Sequence, residues 1–446
     1  MRIETFNGRK HITSFQVISV GFFLTILTGA LLLTLPFATR DGQGASFADG
    51  LFTATSATCV TGLVVQDTAT YWSVFGQCVI LTLIQIGGMG IVTVAVSLAM
   101  VSGKKIGLMQ RSVMQTAISA PQVGGIVKMT NFILKSMFLI ELIGALLLST
   151  VFIKDMGFLK GIWYSIFHSI SAFCNAGFDL FGVNEKFSSL TGYTTNPIVN
   201  LTIMGLIITG GIGFFTWRDV RVYGRNIHRY HMQSKVILFM TTLLILIPAF
   251  YFFFFDLPGL SIPEKFWSSL FQSVTARTAG FNTIDLTIMS ETGLMIMIIL
   301  MITGGAPGST AGGIKNTTLA VLCSSAFSVF KDRENAHFFG RRVSDGTIKD
   351  AATILLMYLT LFIGGAMLIS SIDNLPMLTC LFETASAIGT VGLTLGITTS
   401  LSMASKFILI MLMFFGRVGG LTLVFAAVSV QHNTGAKYPV EKITVG

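Results

Sequence analysis

Long apolar runs without a charged residue constrain this chain more than any other sequence feature. The first, FQVISVGFFLTILTGALLLTLPF at 15–37, exceeds the roughly 20 residues that a helix needs to cross the hydrocarbon core. Charged residues make up only 11% of the chain, and the hydrophobic set makes up 52%. Because the runs are apolar throughout rather than alternating, they favour helices over a transmembrane β-barrel. The sequence therefore predicts an all-α polytopic membrane protein and not a soluble enzyme.

The positions of the basic residues predict how the chain is oriented. They cluster in three loops, at Lys104, Lys105, Arg111 and Lys128; at Arg218, Arg221, Arg225, Arg229 and Lys235; and at Lys331, Arg333, Arg341, Arg342 and Lys349. The positive-inside rule places these loops and both termini in the cytoplasm of a multi-pass protein of the cell (plasma) membrane, surrounded by membrane lipid. No nucleic-acid partner is indicated, because the basic residues lie between spans without interleaved aromatic residues.

Four short segments of the chain resemble one another. They are LFTATSATCVTGLV at 51–64, IFHSISAFCNAGFD at 166–179, LFQSVTARTAGFNT at 270–283 and LFETASAIGTVGLT at 381–394. Each opens with an apolar residue and Phe, passes through small and hydroxylated residues, and ends in glycine plus an apolar residue. The third copy is one residue shorter between its Phe and its glycine. Such internal similarity indicates a repeated structural unit.

Each of these segments stands between two apolar spans. The preceding spans lie at about 15–37, 131–153, 236–255 and 351–372, and the following ones at about 73–101, 197–217, 289–330 and 404–428. The predicted repeats are therefore 1–101, 102–217, 218–330 and 331–446. The middle segments are too short to cross, and irregular backbone at membrane depth must be buried in protein or line a watery cavity. We therefore expect four re-entrant pore loops around a central pseudo-fourfold ion pore.

The chemistry of the four pore loops indicates the ion. A half-helix that ends at the membrane centre presents its partially negative terminus there, and extended backbone beyond it can aim carbonyl oxygens at a dehydrated cation. Glycine permits the close backbone approach that this arrangement needs. In each segment, the three residues that end at the closing glycine include no Asp or Glu. A monovalent cation is therefore favoured over a divalent one. TVG at 390–392 also forms part of the potassium-channel signature TVGYG.

The quoted motifs TCVTG, CNAGF, ARTAGF and GTVGL resemble those of the Trk/Ktr/HKT superfamily of potassium transporters, and the likeness to the membrane subunits of bacterial Ktr systems covers nearly the whole chain. Members related to plant sodium transporters carry serine in place of the first filter glycine, so Gly62 implies potassium selectivity. The resemblance implies a potassium-binding filter formed by the backbone of Val60, Thr61 and Gly62; Asn175, Ala176 and Gly177; Thr278, Ala279 and Gly280; and Thr390, Val391 and Gly392.

The stretch GGAPGSTAGG at 304–313 interrupts the second span of the third repeat, where glycine weakens a helix and Pro307 breaks it. The resemblance implies an intramembrane gating loop at 303–317. The expected gate residues are Gly304, Gly305, Gly308, Ser309, Thr310, Gly312, Gly313, Lys315 and Arg417. A simple hinge or close helix packing is the other interpretation. A phosphate-binding loop is disfavoured, because no Gly-Lys-Ser/Thr follows and no strand precedes.

Two arginines near the predicted pore carry specific expectations. Arg417 is a lone cation within a span, which costs about 2.5–3.5 kcal/mol on insertion scales and favours a functional role. It either donates hydrogen bonds to carbonyls of the gating loop or reaches lipid headgroups. Arg277 precedes the third filter and is expected to brace it through backbone carbonyls, or to act as a charge at the pore mouth.

No Ser-His-Asp, Cys-His or paired-carboxylate arrangement indicates catalysis, and no metal site beyond the pore potassium is expected. The resemblance implies passive, sodium-activated potassium uptake by a homodimer, controlled by a cytosolic KtrA-type nucleotide-binding ring, with no nucleotide bound by this chain itself. A secondary transporter that couples potassium to sodium or protons is the alternative. It is less favoured because a single broken helix is expected and the filters lack carboxylates.

Overall fold

A computed structural model describes residues 13–91, 93–94, 107–118, 124–183, 185–257 and 259–419, and within these ranges the predicted all-α architecture is confirmed. The α-helices are α1 Ser14–Leu33, α2 Phe47–Cys59, α3 Val74–Met89, α4 Leu108–Ala117, α5 Ile126–Met156, α6 Phe158–Cys174, α7 Pro197–Gly211, α8 Phe214–Tyr223, α9 Met232–Tyr251, α10 Ile262–Thr275, α11 Glu291–Ile302, α12 Asn316–Phe330, α13 Asp345–Asp373, α14 Met377–Gly389 and α15 Met403–Val418. The 3-10 helices are Pro36–Ala38, Thr191–Tyr193, Ile227–Arg229 and Leu286–Ile288; a π-helical turn, Phe252–Asp256, continues α9; and β1 His337–Phe338 pairs antiparallel with β2 Arg341–Arg342.

Four of the described helices are long and apolar enough to cross a membrane. They are α1, α5, α9 together with its π-helical turn, and α13. Each buries one stripe of residues and leaves large apolar side chains on the outside, as α5 does with Leu142 and Leu146. A helix whose exposed face is apolar matches a lipid environment. The protein is therefore a membrane protein.

The fourfold repeat seen in the sequence is also present in the structure. Each crossing helix is followed by a shorter helix, which is α2, α6, α10 or α14, and we call these four the pore helices. An apolar second span then follows the pore helix, and it is α3 in the first repeat and α15 in the fourth. The predicted repeat boundary at 217/218 falls inside α8. Several predicted features lie outside the described residues. They are the ends of two predicted spans, at 95–101 and 420–428, the residues Lys104 and Lys105, and both termini.

The second span of the second repeat is broken, which the sequence analysis did not predict. Helix α7 ends at Gly211, and α8 begins at Phe214 with its axis bent by 98°. The intervening Gly213 has φ +86°, which favours glycine because it has no Cβ. The expectation of a single broken helix was therefore wrong. The stretch TGGIG at 209–213 contains only apolar and small residues, so hydropathy alone does not reveal the bend.

Three second spans end in the same way, at a Gly-x-x-Gly sequence. These are GGMG at 87–90, GGIG at 210–213 and GRVG at 416–419. The last glycine of each has φ between +81° and +88°; Gly90 and Gly419 directly follow α3 and α15, and Gly213 directly precedes α8. A Cβ on the first glycine of each would lie less than 3.0 Å from the carbonyl oxygen of Thr58, Phe173 or Ile388 in the pore helix of the same repeat. Glycine thus allows each second span to pack against the end of its pore helix.

Two glycines of α7 test this close packing. We expect Gly210→Ala to lower the free energy of unfolding by about 1–3 kcal/mol, because the new methyl group would overlap the carbonyl oxygen of Phe173. Gly205→Ala, on the same helix, places its methyl group in open space, so it is expected to be neutral or to stabilise by up to about 1 kcal/mol. Unfolding of both purified variants in one detergent checks this, and equal stabilities would contradict it.

Candidate functional site

The four predicted filter segments share one backbone conformation. The residue two positions before each closing glycine has a positive φ, although none of these residues is glycine: Val60 +58°, Asn175 +60°, Thr278 +72° and Thr390 +50°. A left-handed residue at the end of a helix turns the chain out of the helical path. Each pore helix is therefore followed by a sharp turn that carries three residues ending in glycine, and we call these the glycine turns.

A hydroxyl group in each pore helix holds its glycine turn, and the sequence analysis did not identify these residues. They are Ser56, Ser171, Thr275 and Ser386. The Oγ of Ser56 accepts a hydrogen bond from the Gly62 amide at 3.0 Å, and Ser386 does the same for Gly392. The other two hydroxyls donate to the carbonyl groups of Phe178 and Phe281. Each of these residues lies six positions before its closing glycine, or five in the shorter third copy. This regular spacing could have identified them from the sequence.

The four glycine turns form a closed ring. A Cβ placed on Gly62 would lie less than 3.0 Å from the carbonyl oxygen of Ala176 in the second repeat. The same relation joins Gly177 to Ala279, Gly280 to Val391, and Gly392 back to Thr61. Each turn therefore contacts the next in chain order, and the last contacts the first. A side chain larger than that of glycine would separate the turns at each of these four positions.

A cavity of about 240 Å³ opens on one side of the ring. All four closing glycines line it, together with Asp67, Asp179 and Asp285. The hydroxyl groups of Thr61, Thr278 and Thr390, within the turns, are buried and have no hydrogen-bond partner among the described residues. The arrangement therefore combines close-packed backbone, orphaned hydroxyl oxygens and acidic residues at one opening, and these groups favour a small cation.

The predicted gating loop lies directly against the other side of the ring. It runs between the end of α11 at Ile302 and the start of α12 at Asn316. A Cβ on Gly312 would lie less than 3.0 Å from Oγ1 of Thr390, and one on Gly304 would lie 3.2 Å from Cγ2 of Thr278. The loop therefore packs beneath the third and fourth glycine turns.

The backbone of this loop finds its partners in the break between α7 and α8. The amide of Ala306 donates to the carbonyl of Gly211 at 2.9 Å, and that of Thr310 donates to Gly210 at 3.2 Å. In return, the amide of Phe214 donates to the carbonyl of Gly308 at 2.7 Å. The two interrupted helices thus form hydrogen bonds with each other's backbone. These bonds offset the free-energy cost of unpaired amide and carbonyl groups at membrane depth.

Arg417 joins the loop to the first repeat. Its guanidinium donates one hydrogen bond to the carbonyl of Thr310 and another to the carbonyl of Gly87, the latter at the end of α3. In the Gly-x-x-Gly alignment, Arg417 occupies the position of Gly88 and Gly211, so one repeat has an arginine where two others have glycine. Lys315 also bonds the loop, through the carbonyls of Ala311 and Gly312 at 2.7 and 3.2 Å. Arg417 therefore donates a hydrogen bond to a carbonyl of the loop, which is the first of its two predicted roles, and not the contact with lipid headgroups.

The remaining predicted gate residues lie in the same segment. Gly304, Gly305, Thr310, Gly312 and Gly313 are buried, whereas Gly308, Ser309 and Lys315 are half-buried. Gly308, Ser309, Gly313, Lys315 and Arg417 line a cavity of about 310 Å³ on the side away from the ring. The loop therefore separates this inner cavity from the glycine turns.

Arg277 does not brace the third glycine turn, so that expectation was wrong. Its guanidinium is buried and donates to Oγ1 of Thr241 in α9, at 3.4 Å. Arg277 lies two residues after the end of α10 at Thr275 and one residue before Thr278, where the third glycine turn begins. A buried carboxylate that the sequence analysis missed, Glu383 in the fourth pore helix, accepts hydrogen bonds from Thr394 and Thr398 beyond the fourth turn.

The described residues contain no group of three or more His, Cys, Asp or Glu side chains placed to hold a metal ion. The ring instead presents backbone carbonyls and hydroxyl groups. A monovalent cation that moves through the protein is compatible with such ligands, whereas a tightly held divalent ion requires carboxylates.

Comparison with known proteins identifies relatives along nearly the whole chain. Residues 8–435 match the family model TrkH, described as a cation transport protein. The potassium/sodium uptake protein NtpJ of Enterococcus hirae is 41% identical, with 98% of each chain covered, and the Ktr system potassium uptake protein B of Bacillus subtilis is 41% identical over 97% of this chain and 96% of its own. The crystal structure of the potassium transporter TrkH from Vibrio parahaemolyticus has the same fold, with a TM-score of 0.74 at 20% identity, covering 95% of this chain and 86% of that one. With its ring of four glycine turns and this match, the chain belongs to the TrkH family of cation transport proteins, which is not a family of enzymes.

Proposed function

We propose that this protein takes up potassium through a pore whose selectivity filter is the ring of four glycine turns. The observation that carries the proposal is the closed contact between each closing glycine and a carbonyl group of the next repeat. Pore helices α2, α6 and α14 end immediately before their turns, so their partially negative termini point toward the ring. Carbonyl oxygens supplied by Thr61, Ala176, Ala279 and Val391 replace water around the ion.

Potassium is the favoured ion for two reasons. Both relatives at 41% identity are named as potassium uptake proteins, one of them for sodium as well. All four turns close with glycine, including Gly62, and none carries a carboxylate that would hold a divalent ion. The filter is thus formed by the twelve residues predicted from the sequence, with potassium as the ion that it binds and passes.

The loop between α11 and α12 is the gate in this proposal, and we assign the arrangement described above to its closed position. Arg417 holds the loop at Thr310 and places a positive charge below the ring, where it opposes a permeating cation. Charge-assisted hydrogen bonds contribute about 1.5–3 kcal/mol each, so two of them form an effective latch. Opening requires the loop to leave both Arg417 and the break between α7 and α8.

The assembly and its control complete the proposal. We infer a homodimer in the cell membrane with both termini in the cytoplasm, activated by sodium and regulated by a cytosolic KtrA-type nucleotide-binding ring. The names of two relatives, Ktr system potassium uptake proteins B and D of Bacillus subtilis, support membership of a system with more than one component. A secondary transporter that couples potassium to sodium or protons is the second candidate, and the second broken helix, α7–α8, favours it because such transporters bind ions at broken helices.

Uptake by the purified chain in lipid vesicles separates these possibilities. We expect potassium to enter down an imposed electrical gradient without any sodium or proton gradient, and sodium added symmetrically to increase the rate. Gly62→Ser is expected to lower the preference for potassium over sodium by about tenfold, or about 1.4 kcal/mol, because its side chain displaces the Ala176 carbonyl.

The control for that experiment is Gly192→Ser, whose new Cβ meets no atom within 4 Å. It should retain the wild-type preference. Uptake that requires a sodium or proton gradient would favour the coupled transporter. Vesicles that take up no potassium under any of these gradients would refute the pore.

Removal of the Arg417 latch tests the gate. Arg417→Gln is expected to increase potassium flux by about tenfold or more, because two charge-assisted hydrogen bonds to the closed loop are lost. Lys406→Gln removes the same charge from the exposed start of α15, where the lysine contacts Thr399, and should leave the flux unchanged. A flux in Arg417→Gln equal to that of wild type would remove Arg417 from the gate.

A further inference from the structure

A third cavity, of about 530 Å³, lies between the start of α5 and the bent helix α8, where basic residues cluster. Four basic side chains converge on it from three different segments. They are Lys128 in the first turn of α5, Arg218 and Arg221 on α8, and His231 just before α9. The positive-inside rule explains why these residues lie on this side of the membrane, but it does not require them to share one cavity.

Three of these four basic side chains have no acidic partner among the described residues. No Asp or Glu is among the described residues that line the cavity. The nearest carboxylate in sequence, Asp219, is buried and is committed to His231, whose Nδ1 lies 2.8 Å from Oδ1 and whose amide donates to Oδ2 at 3.0 Å. In the part of the chain that the structure describes, Lys128, Arg218 and Arg221 form no ion pair. Cationic side chains gathered without a counter-charge favour an anion.

Part of the cavity wall is apolar. Met129, Phe132 and Phe215 line it, and the Arg221 guanidinium lies 5.0 Å from the centre of the Phe132 ring. Helix α8 is bent by 98° from α7, so it runs along the membrane surface if α7 crosses the membrane. Basic groups beside aromatic and aliphatic groups at this level match a molecule with an anionic head and an apolar tail.

We propose that this cavity binds the phosphate group of an anionic phospholipid from the cytoplasmic leaflet, an assignment that rests on the orientation proposed above. Arg218, Arg221 and Lys128 contact the phosphate oxygens, and Phe132 and Met129 contact the adjoining acyl chain. Free phosphate has the same head chemistry, but it leaves the apolar wall without a partner.

The bound lipid also has a route to the gate. Helix α8 begins at Phe214, whose amide donates to the carbonyl of Gly308 in the gating loop at 2.7 Å. The arginines that hold the lipid lie on the same short helix. A lipid that fixes α8 therefore stabilises the docking surface of the closed loop.

Tryptophan quenching by brominated lipid tests the proposal without measuring transport. Trp217 lies on α8 next to Arg218. The difference in fluorescence between the wild-type chain and Trp217→Phe is therefore the Trp217 signal, and it reports on this region. The full chain is placed in phosphatidylcholine vesicles that contain increasing fractions of brominated phosphatidylglycerol, or of brominated phosphatidylcholine as the uncharged reference. We expect the Trp217 signal to be quenched at lower fractions of the anionic lipid.

Charge-removing variants locate the site. Arg218→Gln/Arg221→Gln is expected to weaken the preference for the anionic lipid by about thirtyfold, since each basic residue near such lipid contributes about fivefold. Arg225→Gln/Lys331→Gln removes two basic residues that do not line the cavity and should retain the preference. As a control for folding, both double variants must first elute from a size-exclusion column at the wild-type volume and show the wild-type Trp217 emission.

Four results would overturn the proposal. The first is equal quenching by the two lipids in the wild-type chain, and the second is an equal loss of preference in both double variants. The third is removal of the preference by millimolar inorganic phosphate, which would assign the cavity to free phosphate. The fourth is an Arg218→Gln/Arg221→Gln chain that keeps its lipid preference but no longer binds a purified cytosolic nucleotide-binding subunit, which would assign the cavity to a protein partner. None of these results depends on potassium flux, so they leave the proposed function standing.

Discussion

Backbone polar groups at membrane depth must be paired, and the centre of this protein is organised by that requirement. Four pore helices end there, and each leaves carbonyl groups that no further helical turn can satisfy. A hydroxyl group inside each helix holds the turn that follows, and glycine lets the turns approach until backbone meets backbone. The carbonyl oxygens that remain are held in place by packing, which is the condition for them to replace water around a cation.

The same requirement explains why two interrupted helices lie together below the ring. The loop after α11 and the break after α7 both expose amides and carbonyls, and they pair with one another across the interface. Arg417 adds a side-chain contact to both sides of this interface, at Thr310 and Gly87. The backbone pairing and the Arg417 hydrogen bonds therefore hold the loop, α7 and the end of α3 together.

The departures from fourfold symmetry described here lie in the third and fourth repeats. Three glycine turns close with a hydrogen bond from the middle residue of the turn to the serine five positions earlier, whereas the shorter third turn reaches back four positions, from Ala279 to Thr275. The third repeat also contains the loop, and the fourth replaces a glycine of the Gly-x-x-Gly sequence with Arg417. A symmetric ring suits a spherical ion, and under the proposed function the asymmetric region beneath it is the part that moves.

The sequence by itself determined the membrane class, the four repeats and the interrupted span, because hydropathy and glycine spacing act locally along the chain. It also located Arg417, since a charge in an apolar span is conspicuous. Only the tertiary structure decided that α7 bends at Gly213, that Arg277 turns toward Thr241, and that Lys128 and Arg218 share a cavity. These features depend on contacts between residues far apart in the chain, and no local pattern encodes which neighbour a buried group will meet.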